Sequence, residues 1–210
     1  MKKIILSLLL LGTQIASADL VQLTPGTKSI SNVNISTGGT VKGTSESLTT
    51  VGSGVRKKYL IGPFGADVYV VQLMVSKAET YDKSKALETI KGQNTTALLL
   101  TMLTSLPAKK IYSAFEDGLS ANSVDLDQPE IAEFLANVQK AGEATSGKTV
   151  TLLFTKNSDG TEVLTYEDTA GKTADIHGPA GFREKILSIW LGNSVPGDDG
   201  LVELKQQLLQ

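Results

Sequence analysis

TVTLLFTKNSDGTEVLTYED, Thr149 to Asp168, carries the clearest structural signal in this 210-residue chain. Two β-branched and apolar runs, Thr149 to Thr155 and Thr161 to Tyr166, flank a turn containing Asp159-Gly160, the pair that accepts the positive φ angles of tight hairpin turns. An antiparallel hairpin follows from that pattern. Working outward, the spacing predicts a short strand near Ala174 to His177, then a helix over about Pro179 to Leu191. Gly192 is expected to end that helix as a left-handed cap, and a last helix, Leu201 to Leu209, closes the chain.

Upstream, a helix starts at Pro107, whose missing N–H costs nothing in a first turn. It places Ile111, Phe115 and Leu119 on one stripe, with Ala108 and Tyr112 beside it. Another helix, about Pro129 to Ala144, is introduced by Asp127 and buries Ile131, Phe134, Leu135 and Val138. Before these lie strands at Val55 to Ile61, Ala66 to Val75 and Thr96 to Leu106, and a short helix at Ser84 to Ile90. The strand Ala66 to Val75 is apolar on both faces, so it belongs inside a sheet covered on both sides. Lys28 to Gly54, rich in Ser, Thr, Gly and Asn, reads either as edge strands joined by turns or as a loosely held arm. Strands bracket helices instead of alternating with them, which predicts an α+β fold with a mainly antiparallel sheet.

The chain opens MKKIILSLLLLGTQIASADL: two lysines, an apolar run from Ile4 to Leu11, and small residues ending at Ala18. That order is the signature of a secretory leader, and the apolar run is too short for a stable membrane anchor. Cleavage after Ala18 and a periplasmic location are therefore expected, leaving an arm at 19–39 and one domain over 40–210. Removal of residues 1–18 takes Lys2 and Lys3 from 20 basic side chains and none of the 22 acidic ones, for a net charge near −4. That balance argues against nucleic acid as partner. There is no cysteine, so neither a disulfide nor a cysteine-linked lipid anchor is available, and no later apolar run is long enough to cross a membrane.

Most chemically suggestive patterns fail on context. Gly142 to Thr149 fits G-x-x-x-x-G-K-[ST], but phosphate cradling needs a strand before the loop and a helix after it, and here the order is reversed. His177 is the only histidine, which excludes histidine-cluster metal sites, and no nucleophile elbow accompanies it. Asp198 and Asp199 lack the spaced ligands of a calcium loop and suit the start of the last helix. No catalytic residue, metal site or cofactor is assigned. Arg56, in GVRKKYLIGPFGADVYVVQLMV (Gly54 to Val75), is different: an always-charged planar fork entering a sheet is suited to bidentate capture of an acid.

GVRKK at Gly54 to Lys58, Val68-Tyr69, AKKIYSAFEDGLSAN, and FREKILSIWLG ahead of VPGDDGLVELKQQLL together resemble the chalcone isomerase-like family, over about Thr40 to Leu209. The likeness is nearer to its bacterial exported members than to the plant enzymes. It implies an open-faced β-sandwich, a large antiparallel sheet covered by helices with an apolar cleft between. The plant isomerases use an arginine, a threonine, a helical tyrosine and asparagine, and a late threonine or serine. The arginine corresponds to Arg56. The strand threonine falls at Phe64, the tyrosine at Ile111 or Tyr112, the asparagine at Gly118 or Leu119, and the late threonine near Ile189, with Ser188 beside it. An anchor without the polar set implies a non-catalytic protein that binds a small apolar or fatty-acid-like ligand through Arg56, Tyr112, Tyr69, Phe64 and Ser188. Two alternatives stand beside it: an isomerase or lyase acting on another substrate, and an interaction module for an exported partner.

Overall fold

The computed structural model describes residues 20–61 and 64–210, with the backbone alone for Leu60, Ile61 and Phe64. The expected leader and its expected cleavage point lie outside the described residues. Ten strands and five α-helices are present among those described, with two single turns of 3-10 helix at Ala78–Thr80 and Lys83–Lys85. The strands are β1 (Val21–Thr24), β2 (Ser29–Ile30), β3 (Val33–Asn34), β4 (Gly38–Val41), β5 (Ser47–Ile61), β6 (Phe64–Val75), β7 (Thr95–Met102), β8 (Thr149–Lys156), β9 (Glu162–Glu167) and β10 (Thr173–Gly178). The helices are α1 (Ala86–Ile90), α2 (Ala108–Ala121), α3 (Pro129–Lys140), α4 (Phe182–Leu191) and α5 (Asp199–Leu208).

Eight strands form one sheet in the order β1-β4-β5-β6-β7-β8-β9-β10, with every pairing antiparallel, and β2 and β3 make a small separate ribbon. The fold is thus α+β, as the order of elements implied. The hairpin pairs Thr155 with Val163 and Leu152 with Tyr166. Gly160, at φ +87°, supplies the turn conformation that a side chain resists. Lys28 to Gly54 forms strands, but not at the sheet's edge: it holds the β2–β3 ribbon, β4 and the start of β5, and β4 lies between the edge strand β1 and β5, pairing with the latter through Gly38↔Thr49.

Burial follows the two-residue period of the strands. Val71 and Leu73, with Leu98, Leu100, Leu152 and Phe154, face α2, α3 and α4. On the opposite face Met74, Ala97, Leu99 and Leu153 pack under Val21, Val41 and Leu48 of the N-terminal strands. Both faces of β6 and β7 are therefore covered, which explains why their sequences are apolar without alternation. α4 is apolar nearly all round because it is enclosed nearly all round: Phe182, Ile186, Leu187 and Trp190 are fully buried.

Two local expectations need correction. Asp127 does not introduce α3: Gln128 is the N-cap residue and Pro129 opens the helix, while the Asp127 N–H is taken by Asp125. Gly192 is not left-handed, having φ −96° and ψ −143°. It is glycine for lack of room, because a Cβ there would overlap the Asn122 carboxamide. That carboxamide donates to the carbonyls of Gly118, Ser188 and Asn193, tying the end of α2 to the end of α4.

Candidate functional site

Arg56 and Tyr69 face one another across β5 and β6, next to an irregularity between Arg56 and Lys57. Only 11 % of the Arg56 side chain is exposed. Its guanidinium donates to the neighbouring Lys57 carbonyl and forms an ion pair with Asp198 at 2.5 Å. Asp198 serves twice. One carboxylate oxygen meets Arg56, and the other caps α5 by accepting the Leu201 N–H at 3.1 Å. Lys58 stands 3.7 Å from the same carboxylate but is mostly exposed.

The helix α5 reaches Arg56 because glycines let it. A Cβ on Gly200 would strike the Lys57 carbonyl and the Arg56 guanidinium, and one on Gly54 would press on Gln207 and Leu204. The Gln207 carboxamide oxygen accepts the Val55 N–H at 2.9 Å, covering part of the open edge of β5. The opening glycine of GVRKK is thus a packing requirement of the terminal helix.

On the inner side of Arg56, the Tyr69 hydroxyl accepts a hydrogen bond from Trp190 Nε1 at 3.0 Å. Burial pushes the Tyr69 pKa up, opposed by the positive charge of Arg56 and by the Trp190 donor. Tyr69 therefore stays neutral and polarised beside the guanidinium. Beyond it the space between sheet and helices is filled by aromatic rings. Phe115 meets Trp190 edge-on at 5.3 Å and stacks on Phe134 at 5.7 Å, and Phe134 meets Tyr166 edge-on at 6.2 Å. A cavity of about 10 Å³ between Ile111, Val138 and Tyr166 has room for roughly one water.

Of the residues expected at a site, the structure joins Arg56 to Tyr69 and adds Asp198 and Trp190. Tyr112 packs against the helix-side core and is not among the partners of Arg56. Ser188 is buried within α4, where its hydroxyl donates to the Lys185 carbonyl at 2.7 Å. Phe64 pairs with Ile61 at the β5–β6 turn, and its side chain lies outside the described residues. Gly118 and Ile189, among the positions expected from the resemblance to replace the plant enzymes' polar groups, touch directly: a Cβ on Gly118 would sit 3.0 Å from Ile189. Asp198 was readable as a helix cap, but nothing in the sequence paired it with Arg56.

A family model described as chalcone isomerase-like matches residues 27–210. The chain belongs to the chalcone isomerase-like family. Among solved structures, a fatty-acid binding protein of Arabidopsis thaliana superposes with a TM-score of 0.51 at 16 % identity. The match covers 81 % of this chain and 96 % of that one, and at this identity the likeness is one of fold. Comparison with curated proteins finds no match. Among the described residues no group of acidic or histidine side chains is arranged to hold a metal, and no helix is long and apolar enough to cross a membrane.

Proposed function

We propose that this chalcone isomerase-like protein is an exported, periplasmic, non-catalytic binder of a small amphipathic acid, fatty-acid-like in character. The acid would be held between sheet and helices with Arg56 as its counter-ion. The observation that carries this reading is the position of Arg56, a mostly buried guanidinium whose one carboxylate partner among the described residues sits on a separate element, the capping turn of α5. A ligand carboxylate that replaces Asp198 exchanges one anion for another, so no net charge is buried by binding. Because the layer beginning at Tyr69 and Trp190 is filled, the apolar body would enter it only as α5 yields and the rings part. The N-terminal sequence supports export, and the fold shared with a plant fatty-acid binding protein supports the ligand class.

The non-catalytic reading is supported by what stands where the resemblance places the polar set. Stabilising a developing enolate needs preorganised donors aimed at its oxygen. Gly118 against Ile189 offers none, and the Ser188 hydroxyl is spent within its own helix. The interaction-module alternative has little surface to use, since Val202 is the one exposed large apolar side chain among the described residues.

Native mass spectrometry of the mature protein taken from the exported fraction tests this reading. We expect an adduct in the mass range of a fatty or aromatic acid, released by organic solvent and absent from Arg56→Ala. An adduct-free wild-type protein that also fails to bind octanoate or longer fatty acids at Arg56 would overturn it.

A further inference from the structure

A second site, unconnected with Arg56, lies at the other end of the β5–α5 contact. There the N-terminal strands part from β5 and leave an open groove of about 600 Å³, a volume typical of small-molecule sites. Its apolar wall is Ile30, Ile35 and Val51, of which Ile35 is buried in the body of the protein. Its charged side chains are of one sign, set among the hydroxyls of Thr27, Ser36, Thr37, Thr50 and Ser53. Lys28 and Lys83 both line it, no Asp or Glu side chain does, and neither lysine has a carboxylate partner among the described residues. Lys28 Nζ reaches only the Ser53 hydroxyl, at 3.2 Å. Gln207 also lines the groove, and because its oxygen is engaged by the Val55 N–H, its NH₂ group remains as a donor.

The groove persists for a structural reason. β4 pairs with β5 only through Ser47 to Thr49, and the Thr50 N–H then bonds to the Thr37 carbonyl. The irregularity at Val51 shifts the register. β5 therefore turns out from under the arm with no strand on its outer side until Gln207 takes the Val55 N–H. Gly52 keeps this floor thin, since a Cβ there would press on the Leu208 carbonyl.

We propose that this groove binds a small organic anion with an apolar body. Its acidic head group is held by Lys28 and Lys83, and its body lies over Ile30, Ile35 and Val51. Two lysines with no acidic side chain beside them favour an anion, and the one-sided apolar wall favours a short chain or ring over an inorganic ion. Carboxylate and phosphate monoester heads satisfy the same donors. This site and the one at Arg56 are separable, because Arg56 does not line the groove.

Amide NMR titration of the ¹⁵N-labelled mature protein with sodium octanoate, octyl phosphate and octanol decides the matter. Saturable shifts centred on Gly26, Gly52 and Ser53 are expected with the two anions, with octanol weaker than either. The tighter of the two anions identifies the head group as carboxylate or phosphate. The Lys28→Gln/Lys83→Gln double variant should weaken that binding by about tenfold. Thr27→Trp, at an exposed lining residue, should block it by filling the groove with both lysines left in place. Arg56→Ala should leave these shifts unchanged. No saturable shift at the groove with either anion, equal affinity for octanol, or full affinity in the double lysine variant would each overturn the proposal.

Discussion

Arg56 and Asp198 lie 142 residues apart and meet as an ion pair that is 11 % and 16 % exposed. The contact fastens the first turn of α5 to the sheet, and it is also the contact that a ligand acid has to displace. Removing one member of such a pair leaves the other charge poorly solvated, at a cost of about 1–3 kcal/mol for a partly buried case. Arg56→Ala and Asp198→Ala should each lower stability by about that amount in urea titrations. The double variant should lose less than the sum, with a coupling of about 1 kcal/mol or more. Additive losses would mean that the two side chains do not interact in solution.

Gly118 and Ile189 set the separation of α2 from α4. A side chain at Gly118 has to push Ile189 aside, since even a Cβ would sit 3.0 Å from it. Gly118→Leu should therefore destabilise by about 2–4 kcal/mol through overpacking. Adding Ile189→Ala should return part of that loss by making room. A Gly118→Leu protein as stable as wild type would show that α2 and α4 are free to move apart, and would restore the possibility of a wide cleft at that point.

The sheet was legible because its central strands announce themselves. Val70 to Val75 and Thr95 to Met102 are covered on both faces and read as largely apolar runs, broken only by Gln72 and by threonines. The helices of the covering layer were legible from their stripes, whereas Arg56, expected at the entrance of a strand, lies in the interior of β5, which begins eight residues earlier than its sequence suggests. What escaped was whatever depends on residues distant in sequence. Nothing in VPGDDG says that Asp198 will reach Arg56. Nothing in FREKILSIWLG says that Trp190 will donate to Tyr69, or that Gly192 is needed for the Asn122 carboxamide rather than for a left-handed turn. The space in the sheet–helix layer was equally hidden, because apolar residues that line a cavity and those that fill it have the same sequence.

Arg183 escaped for the same reason, and it is the most deeply committed charge among those described. It is fully buried, donates to Glu162 from Nε at 3.0 Å and from its terminal nitrogen at 2.6 Å, and also reaches the Gln93 carbonyl and the Thr96 hydroxyl. Glu162 in turn accepts the Arg183 backbone N–H at 2.9 Å, so β9, the start of α4 and the loop before β7 are joined at one point. Glu162→Ala strands that guanidinium without its counter-charge and should cost about 3–5 kcal/mol. Replacing both members by Met and Leu should be milder than either single truncation, by thermal melting. If the double apolar variant fared worse than Glu162→Ala, the pair would be worth more than its desolvation cost.

Lys205 gives the fold a pH signature. Its ammonium group, on a buried residue of α5, donates to the Gly192 and Asn193 carbonyls at the end of α4 and has no carboxylate partner among the described residues. Burial pushes its pKa down from 10.5 to about 8. Between these values the unfolded chain holds a proton on Lys205 that the folded protein has released, so stability rises with pH across the window from about 8 to 10.5. Below pH 8 both states are protonated and the cost of burying the charge is present in full. Lys205→Met removes the titrating group and keeps its apolar stem. The stability of wild type relative to Lys205→Met, followed by urea denaturation, should therefore increase as pH is raised from 8 to 10. A difference that stays flat over that range would mean that the two carbonyls compensate the burial, and that Lys205 titrates at its ordinary value.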